Sequence, residues 1–178
     1  MEPNAQTGTT NPPTVRVATA QSELEDAFDV RYDVFVDEQD VDEELEYDEH
    51  DEPDAAAVHF VAYADSDDEA EDDSSTATPI GAARLRTVDQ ATGKVERVAV
   101  LESHRGTGVG RALMEALETE AREQSLETLK LHAQTHAAGF YEGLGYETYG
   151  DEFEEAGIPH VAMERSLGDS SAGAGSNT

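Results

Sequence analysis

"SHRGTGVGRALMEA", Ser103 to Ala116, sets three alternating glycines between an apolar run and a stretch of helical period. Gly106, Gly108 and Gly110 have Arg105 in front and Arg111 behind. Glycines ahead of a helix let backbone N–H groups come close to a ligand, and the helix adds the positive end of its dipole. Such a stretch is either a phosphate-binding turn or a bare strand-to-helix turn, and alone it does not separate the two. It is not a Walker A loop, because no Gly-Lys-Ser/Thr closes it. Nor is it a dinucleotide fingerprint, since the spacing is G-x-G-x-G and no first βαβ unit surrounds it. What remains is R-x-x-G-x-G (Arg105, Gly108, Gly110), which suits a pyrophosphate, with Arg105 or Arg111 adding charge.

Behind the turn, Val109, Ala112, Leu113, Ala116, Leu117 and Ala121 keep a helical period. Glu115, Glu118, Glu120 and Arg122 lie off that stripe, as an amphipathic surface helix requires. Ahead of it, "IGAARLRTV" and "KVERVAVL" read as two strands joined by the turn "DQATG". "ETLKLHA" is a further strand, "AAGFYEGLG" a short helix closed by glycine, and "YETYGDEF" and "PHVAMERSL" two more strands. On the N-terminal side, "TVRVATA" alternates as a strand does. "SELEDAFDVRYDVFVDEQ" then carries a helical stripe (Leu24, Ala27, Phe28, Val34, Phe35), with Ser22 and Glu25 as a capping box. "DVDEELEYDEHDEPDA" has no period and is expected to be a long, solvent-exposed acidic connection. "AAVHFVAYA" is a strand. The element order is that of an α/β domain with a mixed sheet.

The 178 residues suit one domain. Residues 14–167 are expected to form it, with a disordered leader at 1–13, a solvated acidic loop at 65–79 and a disordered tail at 168–178. That loop holds seven acids in its first nine residues but lacks the glycine and terminal glutamate of an EF-hand, so no metal site is expected. There is no apolar run of about 18 residues and no secretory signal. The absence of cysteine excludes disulfides, thiolate metal sites and a Cys nucleophile. A cytoplasmic enzyme or binding protein fits.

Asp and Glu total 41 against 11 Lys and Arg, a formal net charge of −30. That balance opposes nucleic-acid binding, which needs a basic footprint. The hydrophobic patterning from Val15 to Met163 opposes disorder of the whole chain. A salt-loaded cytoplasm accounts for the charge, because the Debye length shrinks to about 3 Å at 1 M. A halophilic source is therefore expected. An acidic surface of that origin says nothing about a cationic substrate.

The strand–turn–helix unit, followed one strand later by "FYEGLGY", resembles the GNAT superfamily of N-acetyltransferases, and its ElaA-like subgroup more closely. The matching pieces are "VFVDEQ" (34–39), the Asp48/Asp51 region, "HFVAYA" (59–64), "ARLR" (83–86), "ERVAVLESHRGTGVGRALMEALE" (96–118), "LHAQTHAAGFYEGLGY" (131–146) and "FEEAGIPHVAMER" (153–165). The glycine motif is moderately specific. "AQTH…FY" together with "EEAGIPHVAM" is much more so. Departures are the inserted acidic loop and Tyr146, where the superfamily often has Phe.

The resemblance implies a GNAT fold: an α/β domain whose central mixed, mostly antiparallel sheet is splayed at its middle and flanked by helices. It implies acetyl-CoA as acetyl donor. Backbone groups of Val98, Ala99 and Val100 would meet the pantetheine arm. The turn Arg105, Gly106, Thr107, Gly108, Val109, Gly110 and Arg111 would cradle the pyrophosphate, with Phe140 on the same side. Strand 128–134 would diverge from 94–101 to leave a V-shaped cleft.

Acetyl transfer to a primary amine needs a neutral amine, a stabilised oxyanion and a proton for the thiolate. A backbone N–H on strand 94–101 suits the oxyanion. Without cysteine or a G-x-S-x-G elbow, direct attack in a ternary complex is expected. Tyr141, in the family's "FY" position, is the candidate acid; a packed aromatic is the alternative. Strand parity places Lys94, Glu96, Val98 and Val100 on one face. Glu96 is then the candidate base through water, or equally a salt-bridge partner for an arginine. His136 and His160 compete for the base role, since imidazole titrates near neutrality. With Glu38, Gln39, Gln134 and Glu155 they are the candidates for the acceptor pocket. Asp48, His50 and Asp51 have metal-like spacing, but a solvent-exposed loop is the reading adopted. The acceptor is a small-molecule or peptide amine, with no nucleic acid and no membrane partner expected; a homodimer is compatible with the superfamily. A CoA-responsive binding module with little catalysis is the alternative function.

Overall fold

The structure is a computed structural model that describes residues 13–52, 55–64 and 78–167. The expected leader up to residue 12, most of the acidic loop and the tail 168–178 lie outside the described residues. Seven strands form one sheet: β1 (Thr14–Val17), β2 (Val58–Ala64), β3 (Thr78–Asp89), β4 (Thr92–Val100), β5 (Thr128–Gln134), β6 (Glu147–Glu155) and β7 (Ile158–Ser166). Their spatial order is β1-β2-β3-β4-β5-β7-β6, and every pairing is antiparallel except β4 with β5.

Helices cover both faces of the first half of the sheet. On one face lies α3 (Val109–Glu123), whose Leu113, Met114, Leu117 and Ala121 are fully buried against Phe60, Leu85, Leu129, Leu131 and Met163. On the other lies α1 (Gln21–Arg31), which sets Ala27 and Val30 against Val61, Tyr63, Ala82 and Ala99. Being covered on both faces is why β2 reads as a continuous apolar run, "VHFVAYA", and not as an alternation. By contrast β6, the far edge strand, is exposed along nearly its whole length.

Three local expectations change. The first helix does not run unbroken to Gln39: after Arg31 it widens into a π-helix, Tyr32–Glu38, with Gln39 N–H donating to Val34 C=O. Its cap is Glu23, whose carboxylate accepts from the N–H groups of Thr19 and Ala20; Ser22 and Glu25 do not form the box. Glu118 does not face solvent. It is buried on α3, accepting from the Tyr146 hydroxyl at 2.9 Å and from Arg165 at 2.8 Å. The hydroxyl of Tyr146 thus has a buried carboxylate to bond.

The feature that positions the site is a gap in the sheet. β4 pairs with β5 only from Thr92↔Thr128 to Val95↔Leu131. Beyond that, β4 stays with β3 as far as Gly81↔Val100, and β5 stays with β7 as far as Gln134↔His160. A β-bulge at Arg97, a non-glycine at φ +58°, lies where the two strands part. Bulges bend and twist a strand locally.

Candidate functional site

The gap opens into a cavity of about 780 Å³. One wall is the unpaired edge of β4, Glu96 to Val100, and the other is the end of β5 with the tip of the β6–β7 hairpin. Glu38, Gln39, Gln134, His136, Glu155 and His160, six residues spread over more than 120 positions, all line it. So do Tyr141, Glu96, Val98, Ala99, Val100 and Arg105.

At its rim the cleft meets the glycine turn. Gly106 and Gly108 have φ of +79° and +98°, and a Cβ at either would point into open space. Only glycine takes such φ without strain. Among the described residues, no N–H from Gly106 to Arg111 donates to a backbone carbonyl. These are the free donors of a helix N-terminus. The α1, π and α2 (Glu43–Glu46) helices carry acids in their first turn, whereas α3 carries none and has Arg111 there instead. In a chain of net charge −30, that is the arrangement of an anion site. Gly110 serves differently, because its missing side chain leaves room for the Phe140 ring, 3.1 Å from where a Cβ would sit. Phe140 in turn meets Tyr141 edge-on, with ring centroids 4.9 Å apart.

Arg105, at the head of this turn, is engaged with groups outside it. Its guanidinium makes a two-pronged pair with Glu38 at 2.8 and 2.7 Å, and its Nε donates to the Val100 carbonyl at 2.8 Å. Arg111, well exposed and only 3.9 Å from Glu115, is the loosely engaged one. The next residue along from Glu38, Gln39, accepts from Gln134 Nε2 at 2.9 Å. Two consecutive residues at the end of the π-helix therefore grip both arms of the gap, the segment after β4 and the end of β5.

Tyr141, on α4 (Ala138–Gly143), is 8% exposed. Its hydroxyl has no hydrogen bond among the described residues, and burial raises its pKa, so the phenol holds its proton.

Glu96 sits as a salt-bridge partner of arginines, the second of the two roles its sequence position offers. It accepts from Arg84 and from both Nε and Nη2 of Arg86. Burial alone would raise its pKa, but the hydrogen bonds and charge of those arginines hold it down to about 2. A carboxylate so held is a weakened base at neutral pH. Strand parity fails at the bulge. Glu96 and the next residue, Arg97, turn to the same side, where Arg97 donates to the Glu46 carbonyl and Asp48.

The acidic connection is corrected. It is folded, with α2 and a 3₁₀ turn at Glu49–Asp51, and three of its carboxylates are taken by guanidinium groups. Arg31 and Arg84, each 1% exposed, hold Glu46, Asp48 and Asp51 at 2.7 to 3.0 Å. Asp51 is pulled well below the usual carboxylate range, its two arginines outweighing burial. Arg31, Arg84 and Arg86 stand behind this wall, and Lys94, Arg97 and Arg105 line it. Six of the chain's 11 basic residues are thus concentrated here.

His132 belongs to none of the candidate sets, yet it lines the cleft and donates from Nδ1 to Glu155 at 2.9 Å. The available signal is the parity of "TLKLHAQ", which sets Lys130, His132 and Gln134 on one face.

A family model described as Acetyltransferase (GNAT) domain matches residues 34–167. A Bacillus subtilis protein named as an acetyltransferase is 41% identical over 151 residues, covering 85% of this chain and 95% of the relative. Among solved structures, a Lactobacillus plantarum protein named as an N-acetyltransferase superposes with a TM-score of 0.75 at 26% identity, over 88% of this chain and 99% of that one. Escherichia coli ElaA gives 0.68 at 26% identity, over 86% and 99%.

Proposed function

The chain belongs to the GNAT acetyltransferase family, and on that premise we propose that it moves the acetyl group of acetyl-CoA to a primary amine by direct attack in a ternary complex. The observation that supports this reading is the parting of β4 and β5 into a cleft that ends at free backbone N–H groups. The donor set fits a pyrophosphate, and the gap fits an extended arm. In this reading the N–H groups of Gly106 to Arg111 hold the pyrophosphate with help from Arg111, and Phe140 flanks it. The edge of β4 at Val98, Ala99 and Val100 meets the pantetheine. Arg105 occupies the Val100 carbonyl and holds the π-helix in place through Glu38.

Tyr141 is the donor for the departing thiolate. Burial raises the pKa of this phenol, so it keeps its proton until the thiolate departs. Backbone N–H groups on the unpaired edge of β4 serve the oxyanion.

The test is release of free CoA from acetyl-CoA across a panel of primary amines. CoA released in step with acetylated amine is the expected result. Binding of acetyl-CoA with no release for any amine contradicts it and favours a CoA-responsive binding module. Tyr141→Phe should lower kcat by roughly 10²–10⁴-fold with little change in acetyl-CoA affinity. An unaltered kcat removes the assignment.

The net charge of −30 further supports a salt-loaded cytoplasm as the working environment. The melting temperature should then rise from millimolar to molar KCl, and equal stability in both would refute the idea. No helix among the described residues is long and apolar enough to cross a membrane.

A further inference from the structure

With Glu96 held by arginines, the acceptor amine lacks a group to take its proton. We propose that His160 is that group, acting through Nε2; the inference rests on the acetyl-transfer reading above.

The carboxylates that share the cleft with His160 are already engaged. Arg105 holds Glu38, Arg31 holds Glu46, Arg84 and Arg86 hold Glu96, and His132 holds Glu155. Of the cations across the gap, Lys94 stands 3.9 Å from Glu96 and Arg97 pairs with Glu46 and Asp48. Three imidazoles remain. His136 donates from Nε2 to the Gln134 side-chain oxygen at the exposed mouth, 2.7 Å away. His132 is committed to Glu155, a pair in the open that ties β5 to the hairpin tip.

His160 is held differently. Its Nδ1 lies 2.7 Å from the Ile158 carbonyl. A carbonyl oxygen only accepts, so Nδ1 carries the proton and Nε2 keeps its lone pair. The ring is 8% exposed and stacks on Phe153 at 6.0 Å and 21°, which fixes its plane. Nε2 has no partner among the described residues. The one buried unpartnered side-chain atom described is His59 Nδ1, so His160 Nε2 keeps its opening to the cleft.

Its face of the sheet is also the right one. His160 lies opposite Gln134 and Phe153 in the strand ladder, while the alternate pair Ala133 and Val161 packs into the α3 core. His160 therefore faces away from α3, and Tyr141 lies within the α3 core. The two groups approach the gap from opposite faces, so the acid and the base do not exchange a proton directly.

The protons balance. His160 Nε2 takes one from the ammonium form of the acceptor and passes it to solvent. The neutral nitrogen then bonds to the thioester carbonyl carbon, and the tetrahedral oxyanion so formed collapses with breaking of the C–S bond. Tyr141 gives its proton to the leaving sulfur and is restored by the second proton lost from nitrogen. The products are the amide, CoA thiol and one solvent proton.

The test uses acetyl-CoA with benzylamine, which is protonated at neutral pH, and trifluoroethylamine, which is largely neutral there. His160→Asn keeps an N–H for the Ile158 carbonyl and removes Nε2. We expect it to lower kcat for benzylamine by roughly 10²–10⁴-fold, to spare trifluoroethylamine, and to abolish the acidic limb of the wild-type kcat–pH profile. Acetyl-CoA affinity should not change. Equal losses for both amines, or a limb that survives in H160N and vanishes in His132→Asn, would overturn the proposal. If wild type acetylates neither amine nor any other in the panel, the acetyl-transfer reading itself fails. ¹⁵N NMR of the wild-type ring gives a readout independent of turnover. Protonated Nδ1 with bare Nε2 supports the base, and the opposite tautomer overturns it.

Discussion

Around Glu96 nearly every charged group has a partner, whereas at the glycine turn, at the other end of the same cleft, the backbone donors have none among the described residues. The first region joins Arg31, Arg84, Arg86 and Arg97 to Glu46, Asp48, Asp51 and Glu96 across five elements. The second offers free N–H groups, glycines facing open space and an unopposed helix dipole. Saturated polar groups hold a structure together and have little left for a ligand. Unsaturated ones at an exposed turn are met by water and stay open to a ligand. Loss of a partner should therefore appear as stability in the first region and as affinity in the second.

The largest effect is expected at Arg84. Arg84→Met strips partners from Asp48, Asp51 and Glu96, and breaking such a buried network should cost roughly 3–5 kcal/mol in a denaturant titration. Acetyl-CoA affinity of the folded fraction should be unchanged. A stable variant with weakened cofactor binding would break the distinction.

Acid should act on the same region. Glu96 has its pKa lowered from 4.5 to about 2, so its contribution is full above pH 4.5 and is lost as pH falls toward 2. That contribution is on the order of 3 kcal/mol. Asp51 and Asp48, also lowered, act in the same direction; Glu46, raised chiefly by burial, acts in the opposite one. Equilibrium unfolding across that window should show a steep fall in stability. Stability that is flat down to pH 2 would show that the network is not formed.

A smaller effect is expected at the turn. Gly108→Val places a side chain at φ +98° in the open space of the cradle. Strain of roughly 1–2 kcal/mol should lower stability modestly, while acetyl-CoA affinity falls by about tenfold or more in calorimetry. A variant that binds as wild type does would remove the turn from the cofactor site.

The same contrast explains what could be read from the chain. The turn, the α3 stripe and the "FY" helix are each contiguous, so their spacing carries the information. The seven strands and the gap followed from them and from the family resemblance. The ion network was not legible, because it joins Arg84 to Asp48 over 36 positions and Arg97 to Glu46 over 51. In a chain this acidic nothing local separates the buried Glu46 from the exposed Glu44 two residues before it. The bulge at Arg97 left no mark either, since positive φ at an arginine has no sequence signal, and it broke the parity that grouped Val98 and Val100 with Lys94 and Glu96. The π-helix likewise hides one extra residue inside an ordinary helical pattern.

Backbone amide NMR during titration with coenzyme A tests most directly whether the bare turn and the unpaired edge of β4, not the arginine-filled wall, hold the cofactor. The amides of Gly106 to Arg111 and of Val98 to Val100 should shift strongly and together, while those of Glu46 to Asp51 stay in place. Shifts confined to the 46–51 wall, with Gly106 to Arg111 unmoved at saturating coenzyme A, would contradict the account.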